Sequence, residues 1–329
     1  MTLTNFPNGI SSFGMPVNGS VPTTFGNTAN KGGGTVYYVN PTTGSDGNKG
    51  TDMSRPFATM GKANTSATTN NHDVIVLSAT SAHAQTDELA VTKNRLHYFG
   101  LDAVGRYYGL RTRVTMGVTT GTAIAIVQNT GVGNSFENIK FDSSDTLSTS
   151  LYAFADGGEY TRIHGCELYK SSLLTTDLAA ELLMNGDSSY VSGCTIGSNV
   201  NSTGASGVER PCVILDRETI TGKVARDVMF ENCLFWKKSA HADSTLVYGA
   251  GATDVERMFL IRNSMFHNDI LSAADPTEAV GFGATLTQGY AVIWDCVSIG
   301  CDAQSATTGV YVQNAVPTAG TSGIAVQAS

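Results

Sequence analysis

Apolar residues in this chain come in short alternating runs, and from residue 124 those runs repeat. Phe136-Glu137-Asn138-Ile139-Lys140-Phe141 sets a six-residue pattern that returns without gaps from Ile163, Val191, Phe230, Ile261 and Ile293. The template is apolar, variable, Asn/Gly/Asp, then Cys/Ile/Ser, variable, apolar, and only Ser298 departs from it. A period of two predicts strands with one face inward and one outward. Asn, Asp and Gly tolerate positive φ, so the third position predicts a sharp bend between two strands.

Each repeat is preceded by a further apolar run. These runs are Ile124–Ile126, Leu151–Phe154, Leu182–Met184, Val213–Leu215, Leu246–Tyr248 and Val280–Phe282. Val310–Val312 and Ile324–Val326 close the series. Three strands per repeat, with repeats starting 27 to 39 residues apart, predict a solenoid whose insertions sit in loops. The expected fold is all-β: a right-handed parallel β-helix, with coils stacked at about 4.8 Å. The organisation expected is an extended N-terminal arm over 1–34 and one β-helix domain over 35–329. Within that domain, 35–72 form a cap with a short helix from Arg55 to Ala63, and 73–329 form the coils.

The cysteines follow from this register. Cys166, Cys194, Cys233 and Cys296 share the position after the bend, which predicts an inward ladder of free thiols rather than disulfides. There is no C-x-x-C, and the six histidines show no metal-ligand spacing, so no metal and no cofactor is expected.

Composition narrows the partners. The net charge is −8, and charged residues are 15% of the chain, which argues against nucleic acid and against an anionic membrane surface. No apolar stretch approaches the roughly 20 residues that span a bilayer, and the N-terminus lacks a secretory pattern.

The run Tyr37-Tyr38-Val39-Asn40, Gly44-Ser45-Asp46-Gly47-Asn48 and Arg55-Pro56-Phe57-Ala58-Thr59 resembles the N-terminal signature of pectate-lyase-like right-handed β-helix proteins. The resemblance implies a strand, a turn, a capping helix and then the first coil. The opening Thr4-Asn5-Phe6-Pro7-Asn8-Gly9-Ile10 through Val17 resembles the start of tailed-phage structural proteins that carry this fold. That likeness implies a virion component made in the host cytoplasm, commonly a homotrimer.

Fold does not decide function, and any surface chemistry has to come from the outward columns and the loops. One column is Glu137, His164, Ser192, Glu231, Arg262, Trp294; the other is Lys140, Glu167, Thr195, Leu234, Met265, Val297. Neither places two carboxylates on neighbouring coils, apart from a Glu137/Glu167 diagonal. Asp216-Arg217-Glu218 is the best acidic cluster and reads as a solvated turn in preference to a glycan-cleaving pair. The later coils turn apolar on the outside, and Leu234, Trp236, Met265, Trp294 and Val297 predict an interface. Phe6, Ile10, Phe13, Met15 and Val17 are the expected apolar anchors of the arm. The expectation from sequence is a non-enzymatic capsid decoration or cement protein on the virion surface. It would bind itself as a trimer, and a major capsid protein or other virion protein through its arm. A tailspike or fibre that binds or depolymerises host glycan is the alternative.

Overall fold

The computed structural model describes residues 34–313, apart from 102–108, 110–111, 118–121, 173–177, 204–209, 240 and 270–275. It also describes the backbone of the strand pair Ser11–Ser12 and Met15–Pro16. The side chains of 199–203 are outside the described set. Phe6, Ile10, Phe13 and Val17, the Met15 side chain and the closing run Ile324–Val326 also lie outside it.

The chain is an all-β, right-handed parallel β-helix built from three parallel sheets. Among the described residues the first sheet has ten strands, from Val36–Val39 to Val310–Gln313; the second has eight, from His83–Gln85 to Val297–Ile299; the third has seven, from Leu89–Val91 to Val280–Phe282. One coil runs third sheet, first sheet, bend, second sheet. Tyr152–Asp156, Arg162–His164 and Glu167–Lys170 make one such coil.

The bend between the first and second sheets is where the template places it. Asn138, Gly165, Gly193, Asn232, Asn263 and Asp295 have φ between 49° and 62°. A left-handed residue here turns the chain sharply and lets each strand continue the ladder of the coil below. Both outward columns hold register from coil to coil. Glu137 pairs with His164, His164 with Ser192, Ser192 with Glu231, Glu231 with Arg262 and Arg262 with Trp294.

The core is the inside of the coil stack. Tyr98 stacks on Phe136 at 4.9 Å, and Phe136 meets Phe154 edge-on at 4.8 Å. Cys166, Cys194 and Cys233 are buried free thiols on the inner side of the bend. Cys166 donates its Sγ hydrogen to the Phe136 carbonyl at 3.4 Å, while its N–H reaches the Cys194 sulfur at 3.4 Å. Each thiol therefore satisfies backbone groups of its neighbouring coils.

The cap helix runs Met60–Ser66, later than the sequence-expected span from Arg55 to Ala63. Thr59 is its N-cap, and Pro56 lies in the approach to it rather than in its first turn. The carbonyls at the other end are closed by Lys93, whose Nζ donates to the oxygens of Asn64, Thr65 and Ala67 at 2.8, 2.7 and 2.6 Å. The helix buries Met60 and Ala63 over the open end of the core.

Candidate functional site

The outer faces of the sheets differ in chemistry. Early coils carry cross-strand ion pairs on the second sheet: Arg113–Asp142 and Lys140–Glu167, each at 3.6 Å. Midway on the first sheet, Arg262 holds Glu231 at 2.9 Å, and the Tyr190 hydroxyl donates to the same carboxylate. The last coils of the first sheet expose aromatic side chains instead: Trp294 is 41%, Tyr290 45% and Tyr311 64% exposed. Tyr290 and Tyr311 meet edge-on at 6.2 Å.

An open cleft of about 450 Å³ follows the bend between the first and second sheets. Thr195, Leu234, Met265 and Val297 line one wall, and the bend residues Asn232 and Asn263 line the other. The sequence-expected interface residues therefore separate into three places. Leu234, Met265 and Val297 share the cleft, although Leu234 is only 8% exposed. Trp294 stands outside it, with Tyr290 and Tyr311. Trp236 occupies the next outward column, stacked on His267 with centroids 5.8 Å apart and planes 5° from parallel. His267 in turn meets Asp269 at 2.9 Å.

Tyr290 and Tyr311 are not among the residues the repeat template isolates. Tyr290 lies three positions before the template begins at Ile293, and Tyr311 lies in the run Val310–Val312, after the last of the six template repeats. The signal was available in Tyr290-Ala291-Val292-Ile293-Trp294, whose alternation places Tyr290 on the same face as Val292 and Trp294.

The acidic turn has a structural role. Asp216 accepts the Glu218 N–H at 3.0 Å and the Thr219 hydroxyl at 2.6 Å, which closes the turn on itself. Asp254 accepts the Arg217 N–H at 3.4 Å, and burial raises its pKa above the usual carboxylate range. A second charged group is fully interior, where the second sheet passes to the third. Glu181 meets Arg210 at 3.2 Å, and Lys237 donates to the Thr245 carbonyl at 2.7 Å. Burial lowers the Lys170 and Lys237 ammonium groups to about 8. These side chains tie loop carbonyls to the barrel. Among the described residues, no three His, Cys, Asp or Glu side chains converge as a metal site.

No family model and no curated protein matches the chain. Solved structures do. A pectin methylesterase from Aspergillus niger is 14% identical, with a TM-score of 0.52 over 84% of this chain and 85% of its own. The pectate lyase Pel9A is 14% identical, with a TM-score of 0.57 over 84% of this chain and 67% of its own. A pectin methylesterase in complex with a hexasaccharide is 13% identical, with a TM-score of 0.52 over 84% and 80%. These likenesses establish the fold. They also overturn the expectation of a non-enzymatic chain, since the fold it shares is that of pectin methylesterases and a pectate lyase. The two outward columns do not take in the third sheet and its edges, where Asp156, Glu181, Asp216 and Asp254 lie.

Proposed function

We propose that this chain is a surface component of a tailed-phage particle. Its coils would form a rigid β-helix, its arm over 1–34 would anchor it to a capsid protein, and the outer faces of its last coils would dock it to further copies, as in a homotrimer. The observation that carries this reading is the patch of exposed Tyr290, Trp294 and Tyr311 on the last coils of the first sheet. An aromatic patch of this kind on a monomer marks an interaction surface. The likeness of Thr4–Val17 to phage structural proteins supports the virion assignment.

Quantitative mass spectrometry of purified particles tests it. A copy number close to that of a shell component is the expected result, and absence from the particle overturns the reading. Deletion of residues 2–34 should abolish particle binding while the barrel stays folded.

A glycan-engaging β-helix is the second reading. It is favoured by the placement of Trp294 beside Arg262 and Glu231 in one outward column, an aromatic plane next to polar groups suited to a sugar ring. Binding of host-surface polysaccharide that is lost in Trp294→Ala would establish it.

A further inference from the structure

One grouping on the outer face of the first sheet is explained by neither reading. In the middle coils the outward column runs Glu137, His164, Ser192 on three successive strands. The Ser192 hydroxyl lies 2.8 Å from His164 Nδ1. Glu137, in register on the other side of His164, is 4% exposed, and among the described residues its carboxyl makes no hydrogen bond. Arg162, two residues before His164, is exposed and forms no ion pair among the described residues. Its charge acts on both Glu137 and His164.

We propose that Ser192, His164 and Arg162 form a carboxylic-ester hydrolysis site, with Ser192 as nucleophile, His164 as base and Arg162 as the cation that receives the developing oxyanion. These three roles are ones a nucleophilic hydrolase needs: an activated hydroxyl, a base within hydrogen-bond reach, and a positive charge where negative charge develops.

The His164 tautomer that accepts from Ser192 carries its own hydrogen on Nε2. Burial, and then the charge of Arg162, hold the imidazole below its ordinary range, against a hydrogen bond to the Ser192 backbone that raises it.

Access comes from the bend. Gly193 follows Ser192 and lines the cleft. A Cβ at Gly193 would stand 3.8 Å from His164 Cε1 and 4.0 Å from Nδ1, so glycine leaves the edge of the imidazole uncovered.

In the reaction, Ser192 Oγ bonds to the ester carbonyl carbon as its proton passes to Nδ1. The C–O bond to the alcohol breaks, and that oxygen takes the proton from Nδ1. Water then attacks the acyl-serine, again giving a proton to Nδ1, and Ser192 regains it as the acid departs. No other reactant is required.

The test treats the full chain with a fluorophosphonate probe and maps the label by mass spectrometry. In parallel, p-nitrophenyl acetate hydrolysis is followed in the wild type, Ser192→Ala and His164→Gln, with circular dichroism to confirm folding. The expected result is labelling at Ser192 and a rate that falls about 100-fold or more in each variant. Wild-type protein that carries no label at Ser192, or folded variants that hydrolyse at the wild-type rate, would overturn the proposal.

Discussion

Asp46 holds Thr59 from 13 residues away: its Oδ2 accepts the Thr59 hydroxyl at 2.7 Å, and its Oδ1 accepts the N–H groups of Ala58 and Thr59 at 2.9 and 3.0 Å. Thr59 then caps the helix by accepting the Lys62 N–H at 3.1 Å. The Gly44-Ser45-Asp46 turn and the Phe57-Ala58-Thr59 approach are thus one device. The turn carboxylate fixes the residue that starts the helix closing the core.

Asp46→Ala should therefore loosen the cap before the coils. It removes three hydrogen bonds to a charged group at an exposed site, and a loss of about 1–2 kcal/mol is expected from the usual size of capping interactions. Urea unfolding gives the magnitude, and hydrogen exchange should localise the effect to 58–66. An unchanged midpoint together with unchanged exchange would show that Met60 and Ala63 burial alone seats the helix.

The bends allow a sharper comparison. Asn263 sits at φ 49°, a conformation that costs a β-branched residue about 1–2 kcal/mol and glycine nothing. Asn263→Val should be destabilised by at least that amount, whereas Asn263→Gly should stay near wild type. Equal losses in thermal melts of the two variants would mean that the side chain, and not the backbone conformation, is what the position requires.

How far the sequence discloses the structure follows from these two devices. The repeat template carries the bend, the inward residue and both outward columns, because period-two alternation and positive φ are local properties of the chain. Register then follows, since Asn138, Asn232 and Asn263 each reset the phase. The boundaries of the third sheet are less legible. Its strand Val127–Asn129 begins just after the expected Ile124–Ile126, since apolar residues there pack on both faces of the sheet and give no alternation. The site is less legible still. Ser192 and His164 belong to different repeats, 28 residues apart, and only the coil stacking brings them together. The buried Glu181–Arg210 pair also lies off the template, and no local pattern announces it.

Acid should weaken the junction between the cap and the first coils. His72 Nδ1 lies 3.1 Å from His97 Nε2, the rings stack 8° from parallel, and Ser135 Oγ meets His97 Nδ1 at 2.9 Å. Burial, and then the neighbouring His72, lower His97 to about 4 from the ordinary 6.5. A histidine with a depressed folded-state pKa binds its proton more readily when unfolded, so its contribution to stability is present above pH 6.5 and is lost as pH falls from 6.5 to about 4. Other groups titrate in the same window. Burial lowers His83 and His164 as well, and it raises Glu137, Asp156 and Glu181, which act in the opposite sense. The prediction is therefore a difference: His97→Gln should flatten the decline seen in the wild type over this window. Parallel pH profiles for the two proteins would remove His97 as the cause.

The exposed aromatics separate assembly from folding. Tyr311 is 64% exposed on the last strand of the first sheet, so replacing it removes little buried area, and Tyr311→Glu should change folding stability by no more than about 0.5 kcal/mol. If the last coils dock copies of the chain against one another, a carboxylate there has to be desolvated at the interface, opposite the same charge on a symmetry-related copy or against an apolar surface. Native mass spectrometry and sedimentation should then show the variant shifted from a trimer toward the single chain, while its melting temperature stays close to wild type. Trp294→Glu should behave in the same way with a larger effect on assembly, because its indole presents more apolar area at the centre of the patch. Variants that assemble as the wild type does would leave these aromatics to a ligand rather than to a second copy. Polysaccharide binding by the same two proteins would then be the property expected to fall.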